Sequence, residues 1–367
     1  MRTDGTAVAP IPALDWDAVT RRPPPAVDRD AVARRVAGRK VLITGAAGSL
    51  GAPLTLALAG AGAGALVLYD HHESSLFRLR ESVSRAAPEA RHRAVLGDVR
   101  DRRRLERLFA EERPDLVFHL AAYKHVPWGE EDPEAFAAAN VIGARHVLDA
   151  SRAAGVPQIV YPSTDKAIDP PSLYGATKRL VEEMLRAGAA GGGPAAVIVR
   201  FVNVLGSQGS APETFARLIR EGRPLTITDP RMRRYWITPD HARLLLLHAA
   251  CLHPAGIGGE PSLTVAPDAG DEITITEIAE RVWACLVPEG GRPPLAVTGS
   301  RPGERLAEPL TAPYERLEPL PLPGLLAVRG VPAPEPERVT DAVRRVAALL
   351  DAEAGPAAIR EAIFRAF

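Results

Sequence analysis

The sequence predicts an α/β protein, a doubly wound parallel sheet followed by a smaller C-terminal substrate-binding cap. Three observations predict it. From residue 40 onward, short β-rich runs alternate with helical patterns, as in a parallel sheet with crossover helices. VLIT and ALVLY are wholly apolar, which suits strands covered by helices on both faces. After about residue 203 the alternation stops, and Gly/Pro-punctuated segments with scattered helices take over.

Residues 1–38 hold a Pro-rich stretch, RRPPPAV, and a short helical pattern, DRDAVARRVAG. They read as an ordered lead-in, not as a domain. Residues 39–203 carry the expected strands KVLIT, ALVLY, HRAVLG, DLVFHL, QIVYPS and AAVIVRF. Residues 204–367 read mainly as the cap, with helices in PDHARLLLLHAACL and ITITEIAERVWACL and with some segments returning to the sheet. Ligands of doubly wound folds sit at the carboxyl ends of the strands, where such a cap would cover them.

A chain of 367 residues can bury a large core. Its 45 basic and 45 acidic residues cancel, leaving no global field for nucleic acid or an anionic membrane surface. Cys251 and Cys285 are too few for a disulfide framework and lack metal-ligand spacing, so a reducing, cytoplasmic setting is expected. The N-terminal MRTDGTAVAPIPALDW lacks the pattern of a secretory signal, and LLLLHAACL is about half the length that crosses a bilayer. Neither export nor membrane insertion is expected. The nine histidines show no paired ligand spacing, so no metal is expected.

Gly45, Gly48 and Gly51 in VLITGAAGSLG follow a strand and open a helix. Without Cβ atoms the backbone can turn tightly and meet a pyrophosphate at the helix N-terminus, as in a Rossmann-type NAD(P)-binding domain. The spacing is G-x-x-G-x-x-G, so the match is to that mechanism and not to the G-x-G-x-x-G fingerprint. A plain turn is the alternative. Asp70 ends the second strand about twenty residues on, where a carboxylate accepts ribose hydroxyls and repels a 2′-phosphate; this favours NAD over NADP. Asp98, in LGDVRD, is placed to read the adenine amino group. Ser49, Leu50, Val99, Ala121 and Ala122 complete the expected cofactor contacts.

Tyr174 and Lys178 in YGATK lie four apart, on one face of a helix. An ammonium beside a phenol favours the phenolate, so Tyr174 is expected to have a lowered pKa and to act as a base on a sugar hydroxyl. The fifth strand runs into Ser163, Thr164, Asp165 and Lys166, at the strand end where substrate should lie. One acid/base suffices for hydride transfer. The second pair, Asp165 and Lys166, points to a further proton abstraction and a leaving group to protonate.

These stretches resemble the extended short-chain dehydrogenase/reductase superfamily, and within it the nucleotide-sugar 4,6-dehydratases of polysaccharide biosynthesis that act on UDP-N-acetylglucosamine. The matching motifs are GAAGSLG, LYDHHE, GDVRD, HLAAYKHVPWGEEDPEA, NVIGARHV, STDKA, YGATK, RFVNVLGSQGS, DPRMRRYWIT and RPGERL. STDKA followed by YGATK is the most specific. The lead-in resembles the linker before the catalytic half of long, membrane-anchored members, and the expectation is a soluble form without that anchor.

The resemblance implies that Tyr174 takes the O4 proton while NAD accepts hydride from C4, with Lys178 on the nicotinamide ribose and Thr164 on the sugar. Lys166, as a neutral amine, then abstracts the C5 proton, and Asp165, protonated, donates to the departing C6 hydroxyl. Hydride returns to C6, leaving a 4-keto-6-deoxy sugar and regenerated NAD. Lys124, His125, Glu130 and Asn203 are implied to line the sugar or diphosphate, and Arg301 and Glu304 to contact the nucleotide or lock the cap. Ala52, Pro53 and Val202 depart from the family pattern. The partners implied are a UDP-sugar substrate and a second copy of the chain, paired through sheet-flanking helices as a homo-oligomer. The competing readings are an NDP-sugar epimerase, which needs no elimination pair, and a catalytically silent dinucleotide-binding regulator.

Overall fold

The computed structural model describes residues 14–207, 209–300 and 302–367. Six parallel strands form the first part of the chain: β1 (Lys40–Thr44), β2 (Ala65–Asp70), β3 (His92–Leu96), β4 (Leu116–His119), β5 (Gln158–Thr164) and β6 (Ala195–Phe201). Their spatial order is β3-β2-β1-β4-β5-β6. The chain thus reverses direction across the sheet between β1 and β4, and a crevice opens at the strands' carboxyl ends. The strand Ser262–Pro267 adds to β6 in parallel; Leu325–Arg329 and Arg316–Pro319 follow antiparallel, completing nine strands.

Alternate residues feed two cores. Val41 and Ile43 of β1 join Leu54, Leu58 and the Leu244–Leu247 run on one face. Leu42 between them joins Val67, Leu105, Leu180 and Met184 on the other. The LLLL run lies in the helix Pro239–Cys251, which packs on this sheet and on the helix Gly51–Gly60, outside the cap. Among the described residues no helix is long and apolar enough to cross a membrane.

A separate core of Phe215, Met232, Trp236, Ile278 and Val282 holds the cap together, and it includes Val19 from the lead-in. The lead-in is bound at both ends: Arg281 donates to the Val19 carbonyl at 2.9 Å, and buried Arg35 donates to Gln158 Oε1 at the start of β5 at 2.7 Å. At the other end of the chain, helices Pro336–Asp351 and Pro356–Phe364 cover the helix Leu173–Ala190, with Val346, Ile359 and Ile363 against Leu173 and Ala176.

Candidate active site

The crevice is a cleft of about 1080 Å³ between sheet and cap. Its floor begins where β1 ends. Gly45 has φ +67°, and a Cβ there would lie 2.7 Å from the Ala121 amide nitrogen, so the loops after β1 and β4 meet backbone to backbone. A Cβ on Gly51 would collide with the Gly45 and Ala46 carbonyls, which is why the helix Gly51–Gly60 can start so close to the strand. Leu50 at its N-cap offers no side-chain acceptor; the Ala52 amide donates to the Gly48 carbonyl at 3.0 Å and Pro53 has no N–H, so the Gly51 amide is the first-turn donor left for a ligand. Gly48 has an ordinary φ and only a tight Cβ contact of 3.2 Å. Ser49, Ala121 and Ala122 line the same wall, as does Val99, packed against Gly143.

Asp70 is buried at the end of β2. Its Oδ2 accepts from the Ala47 amide and its Oδ1 from the His72 amide, both at 2.9 Å. The carboxylate therefore ties the strand end to the glycine loop, and a second lone pair on each oxygen remains for ribose hydroxyls. Asp98 is differently placed. Arg100 grips both its oxygens, at 2.9 and 2.6 Å, and that charge-assisted pairing holds the carboxyl below its usual range.

Tyr174 and Lys178 lie in the first turns of the helix Leu173–Ala190, capped by Ser172 Oγ on the Gly175 amide at 3.2 Å. Both face the cleft. The expected lowering of the phenol's pKa does not occur: burial raises it, the hydrogen bond with Thr164 opposes the rise, and the Asp165 charge adds to it. The reason is where Lys178 points. Its Nζ donates to the Pro162 carbonyl at 2.9 Å and stands 4.5 Å over the Tyr161 ring, and burial lowers the ammonium to about 7. Below it His119, bonded to Thr44 Oγ1 at 2.8 Å and stacked on Tyr161, is pushed down to about 3 and stays neutral.

β5 ends in Thr164, whose hydroxyl accepts from the Lys166 amide and donates to Asp165 Oδ1 at 2.9 Å, setting the single turn Asp165–Ala167. Lys166 Nζ pairs with the same Oδ1 at 2.9 Å. Lys166 lines the cleft, whereas Asp165, 1% exposed, lies behind that wall with Oδ2 buried and unpartnered. Gly175 brings the two motifs together: a Cβ there would strike the Lys166 carbonyl oxygen. Gly175→Ala should lower stability by about 1–3 kcal/mol, read from a denaturant midpoint, because neither the helix nor the turn can yield.

Lys124, His125, Asn203 and Glu304 also line the cleft. Burial lowers the Lys124 ammonium, with Glu213 acting against it. Asn203 Nδ2 donates to the Tyr235 carbonyl at 3.5 Å. Glu130 does not line the cleft. Its Oε1 accepts from the Leu173 amide at 2.7 Å and its Oε2 pairs with Arg360 of the C-terminal hairpin, so it caps the helix that carries Tyr174. Val202 is buried in the cleft wall. Arg301 lies outside the described residues. No group of three or more potential metal-ligating side chains converges among the described residues.

A family profile described as "Polysaccharide biosynthesis protein" matches residues 41–329, from β1 through the strand Leu325–Arg329. The chain belongs to that family. Among relatives of this family member, the "Probable polysaccharide biosynthesis protein EpsC" of Bacillus subtilis is 32% identical over 277 residues, which are 75% of this chain and 45% of that one. The chain thus spans about half the length of that relative. The "UDP-N-acetylglucosamine 4,6-dehydratase (inverting)" of Campylobacter jejuni serotype O:2 is 34% identical over 276 residues, 74% of this chain and 76% of that one. Among solved structures, "Pen from Bacillus thuringiensis" superposes with a TM-score of 0.72 at 26% identity, covering 80% of this chain and 88% of that one.

Several residues of this family member's site escaped the sequence reading. Arg305 donates to the Ile168 carbonyl at 3.2 Å and to the Asp169 carbonyl and carboxylate, pinning the 303–308 segment beside the Asp165–Lys166 turn. Arg234 donates to the carbonyls of Arg305 and Leu306 in the same segment, at 2.7 and 3.0 Å. Beneath Ser163, which donates to Glu182 at 2.5 Å, the buried Arg200 joins Glu182 to Glu315. The Arg-rich pattern of the whole chain hid these few. Their partners are backbone carbonyls or acids far away in sequence.

Proposed function

We propose that this chain is a nicotinamide-dependent nucleotide-sugar 4,6-dehydratase acting on UDP-N-acetylglucosamine or a related UDP-hexose. The observation that carries the reading is the cleft shared by the glycine loop, Tyr174 and Lys166. The close backbone approach at Gly45, the open helix N-terminus at Gly51 and the buried Asp70 fit a dinucleotide, and the Asp70 carboxylate favours NAD over a 2′-phosphorylated cofactor. Bound there, NAD supplies a hydride acceptor for C4 and returns the hydride to C6. The Campylobacter relative, by its name, acts on UDP-N-acetylglucosamine.

The chain's own groups have separable tasks. Tyr174, hydrogen-bonded with Thr164, takes the O4 proton. Its raised pKa leaves little phenolate to act as the base before ligands bind, and a positive charge brought close to it is what would lower that pKa. Lys178, anchored on the Pro162 carbonyl, keeps two N–H groups for the ribose. Once C4 is a ketone the C5 proton is acidic; Lys166 on the cleft wall takes it as the neutral amine, the proton of the Asp165–Lys166 pair then lying on the carboxyl 2.9 Å away. Lys124 offers a cation for the diphosphate.

Incubation with UDP-N-acetylglucosamine and trace NAD in heavy water tests the reading. Elimination installs solvent deuterium at C5 and removes the C6 oxygen, whereas 4-epimerisation does neither. A product that keeps its C6 hydroxyl would sink the dehydratase in favour of the epimerase.

A further inference from the structure

Tyr174, Lys178 and Glu182 recur every fourth residue along the helix Leu173–Ala190, so one stripe carries the phenol, the amine and a carboxyl with no part in the steps above. Glu182 is fully buried. Its Oε1 accepts from the Ser163 hydroxyl at 2.5 Å, and both its oxygens accept from the Arg200 guanidinium at 2.9–3.2 Å. The third guanidinium nitrogen of Arg200 donates to both oxygens of Glu315, at 2.9 and 2.7 Å. One buried guanidinium is thus shared between two carboxylates. Burial pushes the Glu182 carboxyl up, but the charge and hydrogen bonds of Arg200 outweigh it, and the group stays ionised.

Lys178 itself meets little charge. β4 brings it His119, which is neutral; β5 brings the Tyr161 ring and the Pro162 carbonyl; its own helix brings Tyr174 one turn before and Glu182 one turn after. Glu182 is the charge that opposes the effect of burial on the ammonium. Of the other cations that act on Glu182, Arg179 pairs with Glu183, and Arg186 bonds the Val331 and Pro332 carbonyls. The number of protons on Lys178 Nζ decides what it can hold. One N–H goes to the Pro162 carbonyl, so an ammonium has two left for a ligand and a neutral amine has one.

We propose that Glu182 is a positioning residue for Lys178: its buried carboxylate is the counter-charge that keeps Nζ an ammonium with two N–H groups free for the ribose of a nicotinamide dinucleotide, while Arg200 and Glu315 fix that carboxylate in place. The proposal rests on the dinucleotide reading of the cleft. It makes binding depend on pH in a stated direction. Affinity is lost as pH rises and the ammonium gives up its proton, and removing the Glu182 charge makes that proton easier to lose, so the loss moves to lower pH.

The test is NADH binding, followed by the fluorescence of the reduced nicotinamide from pH 6 to 9. Wild type is compared with Glu182→Gln, Glu182→Asp, Glu315→Gln and Lys178→Met. Wild-type affinity should fall as pH rises. Lys178→Met has no amine to titrate and should flatten that fall to what the other ionisable groups of the cleft, Lys124, His125, His71 and His72, contribute. Glu182→Gln should move the fall to lower pH by about one unit, binding about three- to tenfold more weakly than wild type at pH 7.5 and within about twofold at pH 6. A merely structural loss would be the same at every pH. Glu182→Asp keeps the charge one methylene further back and should shift the curve less, in the same direction; it carries the test if the Gln variant does not fold. Glu315→Gln takes a carboxylate from the far side of the same guanidinium, so it should lower stability without moving the curve. A wild-type curve without the fall, an unmoved curve in every folded Glu182 variant, a loss independent of pH, or an equal shift in Glu315→Gln overturns the assignment. A wild-type protein that does not bind NADH at any pH would instead overturn the dinucleotide reading itself.

Discussion

Lys166→Met should abolish water elimination, by about 10²–10⁴-fold or more, while C4 oxidation persists, so that a 4-keto hexose still bearing its C6 oxygen accumulates. Chemical reduction of the quenched mixture would trap that ketone. The separation is expected because, on the proposed reading, Lys166 would meet the sugar from the turn after β5, whereas the C4 chemistry would belong to Tyr174 and Lys178 on the neighbouring helix. An epimerase would be indifferent to the change at C6. Stability must be watched as well. Asp165 is 1% exposed and would lose its cation, and breaking a buried pair costs about 3–5 kcal/mol. Lys166 keeps 16% of its side chain in solvent, which places the loss toward the lower end. Asp165→Asn combined with Lys166→Met should recover most of that stability, because no unpaired charge stays buried, and none of the elimination. Recovery of elimination in the double variant would remove Lys166 from the mechanism.

Tyr174→Phe should produce the opposite block. No ketone should form, turnover should fall by about 10²–10⁴-fold, and neither C5 deuterium nor loss of the C6 oxygen should appear. The variant removes one oxygen from a half-buried ring and leaves Thr164 with its Asp165 bond, so the fold should hold within about 1 kcal/mol. Dinucleotide binding, measured by titration calorimetry, should be nearly unchanged, since Lys178 keeps its anchor on Pro162. A Tyr174→Phe variant that still releases 4-keto product would show that another group takes the O4 proton. A protein that binds the dinucleotide and is equally inert with Tyr174 in place would support the silent regulator.

Local pattern made much of this site legible. The runs from KVLIT to AAVIVRF are six strands, and all but the partly exposed edge strand His92–Leu96 are legible because residues buried on both faces of a sheet are mostly apolar. Gly45 and Gly51 were legible because only glycine fits where backbones touch or φ turns positive. Spacing alone put Tyr174 and Lys178 on one helical face, yet it did not give the direction of the Tyr174 pKa. That depends on Lys178 turning to the Pro162 carbonyl and the Tyr161 ring, residues of a strand that the helix packs against.

The sequence by itself therefore determined six of the sheet's nine strands, the dinucleotide cradle and the acid/base residue types of STDKA and YGATK, since each is a short-range pattern with its own steric or chemical cause. Only the tertiary structure decided which of those groups face the cleft. It set Asp165 behind the wall, turned Glu130 into a helix cap tied to Arg360, and brought Glu315 to Arg200 from over a hundred residues away. Burial and charge proximity are properties of packing between distant segments, and no local periodicity encodes them.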